Sequence, residues 1–232
     1  MPLPYSGFFM SDYIKRLIAE GEHQMLDFKF EVSDFRKISR TLVAFSNTDG
    51  GRLLVGVKDN GSIAGVRSEE EYFMVDGAAK MYCRPEVELK VREWQVEGKR
   101  VVEVIIGKGV SKPYLAQDPE GRWVAYIRQG DQNFKANKVL LSVWERQKSG
   151  LATTVRFRES QRALLSYLES NPGITISKYR RLAGLTSFQA ERILVDFIML
   201  GLLEMEHTST NVIFKLTPGY RNIMEELEHQ LI

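Results

Sequence analysis

The sequence has 232 residues, with 32 Lys plus Arg against 30 Asp plus Glu, a formal charge of +2 at neutral pH, 44% hydrophobic residues and one cysteine. That apolar fraction excludes a disordered chain, the lone Cys83 excludes an internal disulfide scaffold and points to a reducing compartment, and no run reaches the roughly 18 apolar residues of a membrane span. A charge near zero means that a nucleic acid, if bound, is held by a local patch rather than by the whole surface.

Residues 1–10 lack the pattern of a signal peptide, so the expected location is the cytoplasm, with no membrane contact. Ile14, Leu17 and Ile18 then share a helical face over residues 11–20, with Ser11 as N-cap and Gly21 as stop. Leu26, Phe28 and Phe30 alternate with Asp27, Lys29 and Glu31, which predicts a strand with one apolar and one charged face. Helical spacing returns at Ile38, Leu42 and Phe45 behind Ser33 and Asp34, and stops at Asp49-Gly50-Gly51. Residues 53–57 are apolar throughout, as in a strand buried on both faces, and the Asn60-Gly61 turn folds residues 62–66 back upon it.

A helix is expected over residues 69–82, then a hairpin of 87–91 with 102–106 around Glu97-Gly98, and a strand over 123–128. Hairpins with intervening helices indicate an α+β domain with a mixed sheet. A helical stretch near 138–147 closes that domain, and the boundary is placed at residue 148. Beyond it come helices at 160–169 and 177–183, a glycine turn at Gly184, a longer helix capped by Thr186 or Ser187, strands at 203–207 and 212–216, and a last helix from residue 220 towards 231. This is the element order of a winged helix-turn-helix, expected over residues 149–232.

The charge in this second part is uneven: seven cations against three carboxylates between residues 151 and 192, and two against six from there to the end. Its basic end contains the expected recognition helix. Thr186, Ser187, Gln189 and Arg192 fall on its first turns, where base edges are read, and Lys178, Arg180 and Arg181 are placed to hold the phosphate backbone. A winged helix that only packs or dimerises is the plainer alternative.

In the first part, Asp27 and Lys29 share a strand face, Glu22 precedes them and Asp59 follows a buried strand. Carboxylates with a lysine suit Mg²⁺ or Mn²⁺ and phosphodiester cleavage, although a solvated face with a surface ion pair explains the same pattern. No phosphate-binding loop of the GxxxxGK[ST] type, dinucleotide fingerprint or zinc spacing occurs. Gly50, Gly51, Gly61 and Gly65 offer backbone N–H groups for a phosphate but are equally explained by turns, and Phe28, Trp123 and Tyr126 offer rings for base stacking or for the core.

Glu22, the run Asp27-Phe28-Lys29, the stretch Ala44-Phe45-Ser46-Asn47-Thr48-Asp49-Gly50-Gly51 with Leu53 to Gly61, then Lys112-Pro113-Tyr114 and Tyr126-Ile127-Arg128-Gln129-Gly130, resemble the Schlafen AlbA-type DNA-binding domain over roughly residues 20–137. The resemblance implies nucleic-acid binding, self-association into a homodimer and, with a winged helix following, a transcriptional regulator that needs no cofactor to bind duplex DNA. Some animal Schlafen proteins that are similar in this domain cut RNA with a metal-binding carboxylate triad, which implies Glu22, Asp27 and Asp59 as its counterparts and a metal-dependent ribonuclease as the rival reading. Here Asp27 stands where Glu is usual, and Asp59 is matched through a loop. A sensor whose first domain binds a small ligand and switches the winged helix is a third class.

Overall fold

The apolar run 53–57 is buried, as its composition requires, but the central strand it belongs to spans Gly51–Val55, and Val57 makes only an isolated bridge. The computed structural model describes residues 6–150, 152–153, 156–208 and 210–229, with backbone alone for 6–11 and 228–229. The chain falls into two units, Met1–Ala136 and Asn137–Ile232.

The first unit runs α1 (Ser6–Glu20), β1 (Leu26–Lys29), α2 (Phe35–Asn47), β2 (Gly51–Val55), α3 (Glu70–Met81), β3 (Cys83–Arg84), β4 (Leu89–Val96), β5 (Lys99–Ile106), β6 (Leu115–Gln117), β7 (Trp123–Gln129) and β8 (Gln132–Lys135). The central sheet has the order β1-β2-β5-β4, with β1 and β2 parallel and the other pairs antiparallel, so the mixed sheet of an α+β domain is present. Leu53, Val55, Val102 and Val104 pack on one face against Ile38, Leu42 and Phe45 of α2 and Val75 of α3. Leu26, Phe28, Leu54 and Val101 pack on the other against Ile14 and Leu17 of α1. Glu103 is fully buried on that second face, where it accepts from Tyr13 Oη at 2.7 Å, Trp94 Nε1 at 3.0 Å and Arg52 Nε at 3.2 Å. A carboxylate with three donors is tolerable there; without them its burial would cost several kcal/mol, on the order of 3 or more.

A second sheet, β3-β6-β7-β8, is wholly antiparallel, and the sequence announces only its strand β7. Its other strands are two to four residues long, too short to show a period. Asn47, at the end of α2, ties the helix to this sheet: its Nδ2 donates to the carbonyls of Tyr114 at 2.7 Å and Tyr126 at 2.8 Å, and its Oδ1 accepts from Tyr114 N at 2.8 Å. Gly50 and Gly51 follow because the chain passes too close for side chains. A Cβ on Gly50 would lie 2.7 Å from the Ile106 carbonyl oxygen, and one on Gly51 2.4 Å from the Phe45 ring.

The β4–β5 hairpin forms as expected, with Val96 opposite Lys99 and both turn residues left-handed, Glu97 at φ 55° and Gly98 at φ 75°. Around Asn60-Gly61 the return is shorter than a hairpin: one bridge, Val57 to Ile63, after which residues 64 and 65 donate to the Gly56 carbonyl. The first helix begins before Ser11, which lies inside it and not at its cap.

The second unit contains α4 (Lys138–Ser149), α5 (Glu159–Glu169), α6 (Ile176–Ala183), α7 (Ser187–Met199), β9 (Leu203–His207), β10 (Val212–Leu216) and α8 (Tyr220–His229). The expected boundary at residue 148 therefore moves ahead of α4: Val139 and Val143 of this helix join the core of the second unit with Leu164, Tyr179, Leu194 and Phe197. Gly150, which reads as a linker start, is instead the left-handed C-cap of α4. The strands β9 and β10 pair antiparallel over the whole expected range, and Ile174 adds one bridge to Phe214. Residues 230 and 231, to which the last helix is expected to extend, lie outside the described residues. No helix among the described residues is long and apolar enough to cross a membrane.

Candidate nucleic-acid interface

On β1 the alternation sends Leu26 and Phe28 into the apolar layer under α1 and leaves Asp27 and Lys29 together on the other side. Asp27 is nevertheless buried, because Arg128 from β7 reaches it. Its Oδ1 lies 3.1 Å from Arg128 Nη2, and its Oδ2 lies 2.8 Å from Lys29 Nζ. Arg128 also donates to the carbonyls of His23 at 3.0 Å and Leu26 at 2.9 Å, and its guanidinium lies 4.8 Å from the Phe45 ring centre. Its own N–H is accepted by Thr48 Oγ1 at 3.1 Å. The arginine thus joins β1, the end of α2 and β7.

Glu22 is half-buried, and its Oε1 accepts from Phe28 N at 2.8 Å. Burial pushes its carboxyl above the ordinary range, the Phe28 N–H pulls the other way, and the neighbouring Asp27 carboxylate adds to the rise. Asp59 is exposed on the turn after β2. Among the described residues no group of three or more His, Cys, Asp or Glu side chains is arranged to hold a metal. Glu22, Asp27 and Lys29 do come together, but Asp59 does not complete a set with them. Both oxygens of Asp27 already face cations. As placed, these residues do not fit a Mg²⁺ or Mn²⁺ centre.

The glycine and aromatic candidates are taken up by the fold. Gly50 N donates to Phe45 O, Gly61 N to Lys58 O and Gly65 N to Gly56 O, so those N–H groups are spent within the chain. Phe28 and Tyr126 are core residues, and Arg84 covers the Trp123 ring at 4.0 Å.

In the second unit Thr175 caps α6, Gly184 ends it in a left-handed turn, and Thr186 caps α7. Lys178, Arg180, Arg181, Thr186, Ser187, Gln189 and Arg192 are all exposed. Lys178 Nζ sits 4.8 Å from the Tyr167 ring centre. Arg180, Arg181 and Arg192 enter no side-chain ion pair or hydrogen bond among the described residues. Thr186 and Gln189 are engaged with each other in a capping box: Gln189 N donates to Thr186 Oγ1 at 3.3 Å, and Thr186 N donates to Gln189 Oε1 at 2.9 Å. Their side chains hold the start of α7.

Two features are not evident from the sequence. The helix α4 lies along α7, with Lys138 paired to Glu191 at 2.8 Å and Arg146 paired to Asp196, so part of the outward side of α7 is covered and Val195 is buried. Phe188, on the first turn of α7, is 69% exposed. The available signal for the first is the apolar spacing of Val139 and Val143, which needs a partner. For Phe188 it is an aromatic residue placed just behind the cap.

The family model described as Schlafen, AlbA_2 matches residues 22–137. Among solved structures, the DIP2311 protein of Corynebacterium diphtheriae is 19% identical with a TM-score of 0.45; the match covers 89% of this chain, which spans 38% of that protein's chain. The N-terminal domain of a RecG-related protein of Nitrosomonas europaea, described as related to ATP-dependent DNA helicase, is 22% identical with a TM-score of 0.40 over 52% of this chain and 87% of that one. Comparison with curated proteins gives no match.

Proposed function

The chain belongs to the Schlafen, AlbA_2 family, and from that premise we propose that it binds nucleic acid and, more finely, that it is a transcriptional regulator whose second unit is a winged helix-turn-helix reading duplex DNA. The observation that carries this reading is the set of arginines flanking the α6–α7 turn, Arg180, Arg181 and Arg192, which enter no side-chain ion pair or hydrogen bond among the described residues. Three other cations of the unit, Lys138, Arg146 and Lys215, each have a carboxylate partner. Exposed guanidinium groups left without partners suit phosphate oxygens. The order α5, α6, turn, α7 and the ribbon β9–β10, with the bridge from Ile174 to Phe214 between α5 and α6, agrees with a winged helix. In this reading Ser187 and Arg192 meet the groove, Lys178, Arg180 and Arg181 meet the backbone, and Thr186 and Gln189 orient the helix. The active form in this reading is a homodimer, as the family resemblance implies, and it would meet two half-sites.

The ribonuclease reading draws on Glu22, Asp27, Lys29 and Asp59, and with Asp27 shared between Arg128 and Lys29 it has less support. The test of the leading reading is fluorescence anisotropy of the full chain on labelled duplex DNA at several salt concentrations. Binding should weaken with a log–log slope of roughly −0.9 per phosphate neutralised, and the combined substitutions Arg180→Ala, Arg181→Ala and Arg192→Ala should lower affinity on every sequence tried. Unchanged affinity in that variant removes the reading.

A further inference from the structure

Arg156 and Arg158 precede α5, outside any helix-turn-helix argument, and like Arg192 of α7 they are exposed and enter no side-chain ion pair or hydrogen bond among the described residues. The three arginines line one cavity of about 480 Å³, together with Gln161 of α5 and Gln189 of α7. Its wall carries one carboxylate, Asp196, and Arg146 already holds that group. Among the described residues that line the cavity no further carboxylate balances these three arginines, and a guanidinium fork matches two oxygens of a tetrahedral anion.

We infer that this cavity binds a phosphate group, and that the phosphate is a phosphodiester of the nucleic acid that α7 meets. The inference rests on the DNA-binding reading and deepens it, by adding Arg156 and Arg158 to the surface and by placing a backbone phosphate between the start of α5 and the first turns of α7. A phosphate held there fixes the register of the recognition helix and contributes no sequence preference.

The experiment uses the full chain and two double variants, Arg156→Ala with Arg158→Ala and Arg180→Ala with Arg181→Ala. Duplex binding is followed against salt, and thermal unfolding is followed with and without inorganic phosphate and pyrophosphate. The expected result is that the first variant melts like the parent without ligand, binds duplex roughly tenfold or more weakly, as the removal of charged hydrogen bonds implies, and shows a salt slope smaller by roughly 0.9 for each phosphate no longer neutralised. If it binds with the parental affinity and slope while the second variant is weakened, the inference is overturned and the DNA-binding reading stands. If the parent binds no duplex at all, that reading fails, and the phosphate arm decides. Stabilisation of the parent but not of the first variant by pyrophosphate keeps the cavity as a phosphate site for a free anion, and no stabilisation overturns it.

Discussion

Arg128 and Asp27 meet at 3.1 Å across 101 positions of the sequence, and both side chains are buried. The pair sits where the glycine turn after α2, the first strand and the penultimate strand of the unit converge. The residues that carry the family resemblance are therefore first of all a structural joint.

Removing one partner of a buried ion pair costs about 3–5 kcal/mol, because the other charge is left without compensation. Arg128→Ala should destabilise the chain by about that amount in urea unfolding. Arg128→Lys should recover only part of it, since an ammonium cannot serve the carbonyls of His23 and Leu26 together with the Asp27 carboxylate. A loss below about 1 kcal/mol for the alanine variant, the scale of an exposed pair, would show that the joint does not hold the unit together.

Glu22 gives a pH dependence of known sign. Its folded carboxyl is raised above the ordinary 4.5 by burial first and by Asp27 further down, so the favourable contribution of the protonated form is fully present below 4.5 and is lost as pH climbs through the folded value. At neutral pH the ionised side chain works against folding. Glu22→Gln keeps an acceptor for Phe28 N and removes the charge; it should raise the melting temperature at neutral pH and leave it unchanged below 4.5. An equal shift at both ends of the range would refute the assignment.

Thr186→Ala should cost about 1 kcal/mol of stability through loss of the α7 cap, and Gln189→Ala a smaller amount. If these residues act by capping, the drop in DNA affinity in either variant should be uniform across operator variants, tracking loss of helix order. A change confined to one base position would instead mark Thr186 or Gln189 as a base reader, which anisotropy on a set of single-base variants would reveal.

The elements of the second unit are legible because each has a physical boundary in the sequence: Gly184 and Thr186 bracket the turn, and the turn residues 208–211 separate the strand-like runs 203–207 and 212–216. Asn47 and Arg128 are visible as part of a recognisable stretch, yet what they bind is not. Their partners, Tyr114, Tyr126 and Asp27, lie 67 to 101 positions away, and no periodicity reports such distances. Glu103 is hidden for a related reason, since a lone carboxylate in the otherwise apolar run 101–106 does not reveal the Tyr13, Trp94 and Arg52 donors that the fold brings to it. The spacing of Val139 and Val143 shows that α4 needs a partner but not which one, because a helix that closes one domain and a helix that opens the next have the same pattern.

The tight reversal at Glu97-Gly98 has a bearing on how the polypeptide acquires its shape as it leaves the ribosome. Strands β4 and β5 can zip together as soon as residue 106 emerges, with almost no loop entropy to overcome. The aspartate of β1, synthesised long before, waits for residue 128 before its charge is neutralised from the far side. Until then Lys29 is, among the described residues, the one cation beside Asp27, and β7, with β8 pairing on it directly afterwards, completes the first unit.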